Sequence, residues 1–206
     1  MINTVGIIDI QMGNLYSIEK LFKFLKQRYV ISNNPKILKK CNRLILPGVG
    51  DFKTAMEKLK KGKLYELIIQ EAKKNKPILG ICLGMQLLGK KSYESGTTNG
   101  LNLNNLVFNS LKSRTKKIDF HIGFNQVQFP QNSILAKNIP KNSDFYFVHG
   151  FYAAIDKNNK NCGFSKYKKK FVSIYENKNI FGVQFHPEKS QKNGIILIKN
   201  FLEYSC

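Results

Sequence analysis

Short apolar runs alternate with helical patterns through the first ninety residues of the chain. The runs VGIIDI (5–10), YVIS (29–32), RLILPG (43–48) and PILGIC (77–82) are rich in β-branched and aliphatic residues. Apolar runs of this length, bounded by turn residues, are typical of strands that are buried on both faces. We therefore predict four strands in this half of the chain.

Between these runs, apolar residues recur at helical spacing. The spacing is clearest over 15–25, and we also predict helices near 51–60, 64–74 and 85–93. Strands that alternate with helices indicate a mostly parallel sheet that is covered on both faces.

The second half of the sequence has a different character. β-rich runs around 118–129, 145–155, 171–175 and 180–185 are separated by Asn, Gly and Lys. This pattern predicts antiparallel additions and hairpins. A last helix is predicted over 194–203, where apolar residues return to helical spacing.

No repeat, linker or low-complexity block divides the sequence, so we predict one domain over residues 1–206. Its fold class is α/β, with a mixed, mostly parallel central sheet flanked by helices. The 206 residues are 42% hydrophobic, which is enough for one sizeable core. No window approaches the ~20 consecutive apolar residues of a membrane span, and the N-terminus lacks the pattern of a signal peptide. We expect a soluble, cytoplasmic protein without a membrane partner.

Cysteine usage agrees with a reducing compartment. Cys41, Cys82, Cys162 and Cys206 are scattered, with neither a CxxC pair nor the spacing of metal ligands. We expect four free thiols, no metal and no cofactor.

The net charge of +21 is the most unusual global feature. It would suit a protein that binds nucleic acid or another polyanion. However, only Arg28, Arg43 and Arg114 are arginines, and the densest lysine run, KYKKK (166–170), falls in a predicted loop or hairpin. We interpret that run as a solvated surface and expect no specific nucleic-acid partner.

The stretch GICLGMQ (80–86) places Cys82 between two glycines at a predicted strand-to-helix junction. In the serine version of this elbow, the glycines make room for a sharp turn that exposes the nucleophile. The start of the following helix favours a thiolate. Taken alone, the motif is equally compatible with a buried thiol that packs as a small apolar residue.

A second segment, GVQFHPEKS (182–190), favours the nucleophile. A cysteine nucleophile needs a base, and the base needs a group that orients it. His186 ends a predicted strand and precedes Pro187, which favours extended geometry in the residue before it. In an extended segment Glu188 lies on the same side as His186 and can fix its tautomer. We therefore predict a catalytic triad of Cys82, His186 and Glu188.

The segment PGVGDF (47–52) also follows an apolar strand. Its glycines allow backbone N–H groups to approach a ligand closely, and acyl transfer needs donors where oxyanion charge develops. The N–H of Leu83 and the backbone around Val49 and Gly50 are the candidate donors. The segment can equally be an ordinary turn with Asp51 as a helix N-cap, and both descriptions can hold together.

Four segments in this order, PGVGDF, GICLGMQLL, YFVHGF and GVQFHPEKS, resemble class I glutamine amidotransferase domains. More narrowly, they look like the glutaminase subunits of imidazole glycerol phosphate synthases, two-subunit enzymes of histidine biosynthesis. The resemblance runs from VGIIDIQMGN to the last helix. It implies that the chain hydrolyses glutamine to glutamate and ammonia through a thioester on Cys82, with His186 moving protons and Glu188 orienting His186.

The resemblance also implies the contacts to the substrate. The backbone of Val49, Gly50 and Leu83 would form the oxyanion site. Gln86 and Glu94 match positions that hold the α-amino and α-carboxylate ends of glutamine. The other substrate-binding positions are Gly48, His149, Gly150 and Phe151.

A partner is implied as well, because a free glutaminase only wastes glutamine. In the family, ammonia passes through a channel to a separate (β/α)8-barrel cyclase in a heterodimer, and activity without the partner should be low. Phe124 and Lys189 match positions facing that partner. Phe124 stands where tryptophan is usual, and Gly150 and Phe151 stand where serine and tyrosine are commoner.

Other functions stay open at this point. A paralogue with the same chemistry would feed ammonia through a cyclase-like barrel to a sugar-modifying amidotransferase. A nonenzymatic polyanion-binding protein would show steeply salt-dependent binding that is indifferent to Cys82→Ala. A metal hydrolase is not expected, because the three histidines lack ligand spacing.

Overall fold

The computed structural model describes residues 4–111, 119–155 and 161–205, so Cys206 lies outside the described residues. Four strands occupy the four predicted apolar runs: β1 (Val5–Ile8), β2 (Tyr29–Ser32), β3 (Arg43–Leu46) and β4 (Ile78–Ile81). The later strands are β5 (Lys91–Ser92), β6 (Thr98–Asn99), β7 (Val107–Ser110), β8 (His121–Gln126), β9 (Asp144–His149), β10 (Phe151–Ala154), β11 (Cys162–Tyr167), β12 (Lys169–Asn177) and β13 (Ile180–Val183).

Helices connect the early strands and close the chain. They are α1 (Leu15–Phe24), α2 (Pro35–Lys39), α3 (Phe52–Lys61), α4 (Leu64–Lys73), α5 (Leu83–Leu88) and α6 (Gln191–Glu203). The predicted helices are confirmed except for the second half of the one predicted over 85–93. Helix α2 was not predicted; it begins at Pro35, and the Asn34 side chain caps it.

In the described part of the chain, one mixed sheet has the strand order β2-β1-β3-β4-β13-β12-β10-β7-β5-β6, with β11 paired to β12. Its first five strands are parallel. The predicted fold class is therefore confirmed. The run at 180–185 was predicted to be an antiparallel addition. Its strand, β13, is antiparallel only to β12 and pairs in parallel with β4 on its other side. β8 and β9 form a separate antiparallel pair.

Two cores cover the two faces of the parallel strands. Alternate strand residues such as Ile7 and Ile45 pack against α1 and α6. Their neighbours Ile8 and Leu44 point to the other face of the sheet, which α2, α3, α4 and α5 cover. Because both faces are covered, these strands are apolar along their whole length, as the sequence pattern indicated.

The helix predicted over 85–93 ends earlier than expected. α5 stops at Leu88, and Lys91–Ser92 forms β5. The reason is tertiary, because the carbonyl of Leu87 accepts from the N–H of Leu101 (2.8 Å) and that of Leu88 from the N–H of Leu103 (2.9 Å). The last carbonyls of α5 are thus satisfied by a loop instead of by another helical turn.

Among the described residues, no helix has both the length and the apolar character needed to cross a membrane.

Candidate active site

Three loops that follow parallel strands meet at one edge of the sheet. They follow β3, β4 and β13, which pair side by side in register. Because the carboxyl ends of parallel strands share an edge, PGVG, Cys82 and the segment around His186 are brought together there. This edge contains three of the four segments that the sequence analysis singled out.

Cys82 occupies a strained turn between β4 and α5. Its backbone has φ 53° and ψ −110°, which places it in a region that side chains rarely adopt. Its N–H donates to the carbonyl of Val183 on β13 (2.8 Å). A Cβ on Gly80 would lie only 2.6 Å from the backbone of Gly84 and Met85, so the turn closes only around glycine. The elbow predicted from G-x-C-x-G is present.

His186 and Glu188 form a buried pair beside Cys82. Nδ1 of His186 lies 2.7 Å from Oε1 of Glu188, and both side chains are 5% exposed. Burial lowers the pKa of His186, but the charge and proximity of Cys82, together with the hydrogen bond and charge of Glu188, raise it to about 10. Nε2 of His186 is buried and makes no hydrogen bond among the described residues.

The route by which Glu188 reaches His186 differs from the predicted one. His186 is extended (φ −103°, ψ 96°), but Pro187–Lys189 forms a turn of 3₁₀ helix instead of continuing the strand. The N–H of Lys189 donates back to the carbonyl of His186 (3.0 Å), and this closes the turn. Proline at the first position of the turn, where no N–H is required, favours this helical start.

The sulfur of Cys82 has two further polar neighbours. Nε2 of Gln184 lies 3.7 Å from Sγ, and the carbonyl oxygen of Val148 lies 3.8 Å from it. Gln184 was missed in the sequence analysis. A signal was available, because Gln184 and His186 are two positions apart at the end of a strand and so point the same way.

The PGVG loop lies against the elbow. A Cβ on Gly48 would meet the Leu83 side chain at 3.3 Å, which places the loop beside the first residue of α5. The N–H of Val49 donates to the carbonyl of Met12 (3.3 Å), and Gly50 has φ 102°. Asp51 also caps α3, since its Oδ1 accepts from the N–H of Thr54 (2.8 Å). Of the predicted oxyanion donors, Val49 is thus engaged elsewhere.

Gln86 and Glu94 each bond to a different segment of the chain. Nε2 of Gln86 donates to Oε1 of Gln184 (3.1 Å), and the Gln86 side chain is buried. Oε2 of Glu94 accepts from the N–H of Phe52 at the start of α3 (3.0 Å). Burial raises the pKa of Glu94, the Phe52 N–H opposes that shift, and the nearby Asp51 charge adds to it.

The predicted substrate-binding segment, His149 to Phe151, is held in place by hydrogen bonds of two buried histidines, His121 and His149. Nδ1 of His149 bonds to the carbonyl of Phe151 (2.8 Å), and Nε2 of His149 lies 3.0 Å from Nδ1 of His121. Burial lowers the pKa of His149 to about 3 and that of His121 to about 4. The carbonyl of Gly150 accepts from the N–H of Leu111 (2.7 Å). The loop is therefore fixed by neutral rings and backbone bonds.

Phe124 and Lys189, the predicted interface residues, meet at Tyr146. Phe124 on β8 is 52% exposed, and its ring is 5.5 Å from the ring of Tyr146 on β9. Nζ of Lys189 lies 5.5 Å above the same tyrosine ring. Within residues 4–111, 119–155 and 161–205, no group of three or more His, Cys, Asp or Glu side chains is arranged to hold a metal ion.

Comparisons with known proteins agree with this geometry. Residues 7–204 match the family described as "Glutamine amidotransferase class-I". An "Imidazole glycerol phosphate synthase subunit HisH" from Geobacillus sp. (strain WCH70) is 38% identical over 208 residues, covering 96% of this chain and 95% of the relative. An "Imidazole glycerol phosphate synthase subunit HisH 1" from Campylobacter jejuni (strain RM1221) is 41% identical over 200 residues, covering 96% and 98%.

A solved structure shares the fold at low identity. "Structure of PurLQS from Thermotoga maritima" contains a chain with a TM-score of 0.74 and 20% identity, and the match covers 99% of both chains. At that identity the likeness concerns the fold alone.

Proposed function

Since the chain belongs to the class I glutamine amidotransferase family, we propose that it is the glutaminase subunit of an imidazole glycerol phosphate synthase. It hydrolyses glutamine to glutamate and ammonia. The ammonia passes to a cyclase subunit, which makes imidazole glycerol phosphate and AICAR in histidine biosynthesis. Relatives that bear the name of this synthase subunit match over nearly their full length, which supports the assignment.

The contact between His186 and Glu188 beside Cys82 is the observation that carries the proposal. In the first step, His186 takes the proton of the Cys82 thiol, and the thiolate attacks the carboxamide carbon of glutamine. Glu188 accepts the Nδ1–H of the resulting imidazolium at 2.7 Å and stabilises its charge. The raised pKa of His186, about 10, supports a ring that holds this proton.

The second half of the reaction uses the same groups in reverse order. The imidazolium of His186 gives its proton to the leaving nitrogen, so that ammonia departs and a glutamyl thioester remains on Cys82. His186 then takes a proton from water, which attacks the thioester carbon. Collapse of that intermediate breaks the C–S bond, releases glutamate and restores the thiol.

The oxyanion of both intermediates needs backbone donors, and we assign Leu83 and the Val49–Gly50 peptide to that role. Because the N–H of Val49 donates to Met12 here, the Val49 peptide has to turn before it can serve. This engagement supports low activity for the chain alone and activation by its partner.

We place the partner, a (β/α)8-barrel cyclase, on the β8 outer face, which consists of Phe120, Ile122 and Phe124. All three side chains are more than half exposed, and such a patch is typical of an interaction site. The adjacent strand β9 connects this face to the triad, since the carbonyl of Tyr146 accepts from the N–H of His186 (2.8 Å). Ammonia formed at Cys82 would therefore be released close to the partner.

Two further parts of the proposal concern the chain as a whole. We take residues 1–206 as one catalytic domain, because the two cores lie on opposite faces of the same strands. We place the protein in the cytoplasm, where a reduced Cys82 persists. Cys41, Cys82 and Cys162 are free thiols.

The test is glutamate release from glutamine by the purified chain, with and without the barrel protein encoded beside it. Each reaction is run with and without the nucleotide substrate of the histidine pathway, and with Cys82→Ala in parallel. We expect turnover that requires Cys82 and rises sharply with both partner and nucleotide. Turnover that ignores the nucleotide would indicate the sugar-modifying paralogue, and absence of turnover with every partner would overturn the proposal.

A further inference from the structure

We infer that Gln184 is a positioning residue for the Cys82 thiolate, and that Gln86 holds the Gln184 amide in the orientation that this role requires. The inference rests on the proposed function of Cys82 as a nucleophile. Gln184 would give the sulfur a hydrogen-bond donor in addition to the nearby His186, and both residues directly follow β13.

The position of Gln184 supports this role. Its side chain is fully buried at the end of β13, and its backbone N–H donates to the carbonyl of Ser173 (2.9 Å). The side chain reaches Sγ of Cys82 with Nε2 at 3.7 Å. Fixing a long amide in a core costs side-chain entropy and desolvation, so its polar atoms must find partners there.

The orientation of the amide is set from its other end. Nε2 of Gln86 donates to Oε1 of Gln184 at 3.1 Å. The oxygen is thereby committed to Gln86, so an N–H is left to face the sulfur. Gln86 is itself buried on α5, one turn beyond Cys82, and its own N–H donates to the carbonyl of Cys82 (3.3 Å).

A thiolate needs such a donor on this side. The carbonyl of Val148, 3.8 Å from Sγ, can accept from the neutral thiol but opposes a thiolate. The Gln184 N–H offsets that opposition, because a donor in a buried site stabilises an adjacent negative charge. Since Gln86 is also a proposed substrate contact, the two amides connect the substrate pocket to the nucleophile.

The test measures the pH dependence of Cys82 alkylation by iodoacetamide in the full chain without substrate or partner. The labelled peptide that contains Cys82 is quantified by mass spectrometry, and absorbance at 240 nm follows the thiolate directly. The variants are Gln184→Met, which keeps the volume but removes the donor, and Gln184→Glu, which faces the sulfur with a carboxylate. The matched control is Gln70→Glu on the exposed side of α4.

For Gln184→Met we expect the alkylation profile to shift to higher pH by about one unit, so that alkylation at a pH below the midpoint slows about tenfold. The profile of Gln184→Glu should shift further to higher pH, and the profile of Gln70→Glu should not shift. In the complex, Gln184→Met lowers kcat and leaves KM nearly unchanged. A structural filler would change the melting temperature only, so an unshifted profile in folded Gln184→Met overturns the inference.

If Gln184→Met does not fold, Gln86→Leu decides the question. Removing the Gln86 donor frees the Gln184 amide to turn, and a shift in the same direction is expected, whereas an unchanged profile rejects the role of the amide chain. These outcomes are separable from a failure of the proposed function. Alkylation is measured without glutamine, while the glutaminase role is tested by turnover of the unaltered complex.

Discussion

Gly84 lies so close to β3 that a Cβ atom on it would overlap the carbonyl oxygen of Leu46. The strand carbonyl is fixed by its place in the parallel sheet, and the helix start is fixed by the Cys82 turn. Neither side can give way without moving the elbow. The second glycine of the motif is therefore required by packing as well as by the turn.

We expect Gly84→Ala to destabilise the chain by about 3 kcal/mol, because the overlap involves backbone on both sides. Gly62→Ala is the matched control. Gly62 has φ −81°, and its added Cβ would come no closer than 3.3 Å to the carbonyl of Lys58. We expect a change below about 1 kcal/mol there. The measurement is the free energy of unfolding in urea, and equal losses in the two variants would contradict this account of the elbow.

Glu188→Gln tests the triad without a change of shape. It removes the carboxylate that holds Nδ1 of His186, so we expect kcat/KM of the complex to fall about 100-fold or more. The pKa of His186 is raised by Cys82 and Glu188 against burial, so loss of the Glu188 charge lowers it. The alkaline limb of the pH–rate profile should then move to lower pH.

Glu66→Gln removes the same charge from the exposed side of α4 and serves as the control for the triad variant. It should leave both the rate and the profile unchanged. A Glu188→Gln enzyme with unaltered turnover would remove Glu188 from the mechanism, whatever its distance from His186.

The early strands and helices could be predicted from the hydrophobic pattern within each segment. The buried strand Val5–Ile8 and the helix Leu15–Phe24 follow their hydrophobic periodicity. The two glycines around Cys82 left an elbow and a buried thiol equally open, and the segment around His186 decided in favour of the elbow. The pairing of His186 with Glu188 was also predicted, although through an extended segment that is in fact a 3₁₀ turn.

The remaining features depend on contacts between distant segments. β13 joins the parallel strands through the pairing of Ile180 with Ile78, which no local window contains. β11 was missed because its pairing is broken by a bulge between Gly163 and Phe164, and this breaks the strand periodicity. The spacing of Gln184 and His186 put the two side chains on one side, but the contact of Gln184 with Cys82 depends on the pairing of β13 with β4.

The histidine pair gives the chain a defined acid sensitivity. Burial lowers the pKa of His149 to about 3 and that of His121 to about 4, whereas the pKa of a histidine in the unfolded chain is about 6.5. The unfolded chain therefore binds more protons as the pH falls below about 6.5. The stability that the neutral pair contributes is complete above that pH and is lost progressively, towards pH 4 for His121 and towards pH 3 for His149. We expect a loss of about 2 kcal/mol per histidine at pH 5.

His121→Phe isolates this contribution. The ring keeps its stacking between Phe147 and Tyr167 but cannot titrate. At pH 7 the variant should be less stable by about 1–3 kcal/mol, because Nε2 of His149 loses its partner. Between pH 7 and pH 5 its free energy of unfolding should fall less steeply than that of the unaltered chain. Parallel slopes would show that folding does not lower the pKa of His121.

The β8 outer face should carry much of the affinity for the cyclase partner. Phe124→Ser removes an exposed ring that contacts Tyr146 but supports neither core, so the fold should be retained. We expect Kd for the barrel protein to rise about 30-fold, as for an aromatic residue at the centre of an interface. Ile37→Ser on α2, at a side chain that is 43% exposed, is the control and should leave Kd unchanged.

The Kd of each variant is measured by titration calorimetry of the two purified subunits. If Phe124→Ser binds as tightly as the unaltered chain, the partner contacts another face, and β9 is not the connection between docking and the triad.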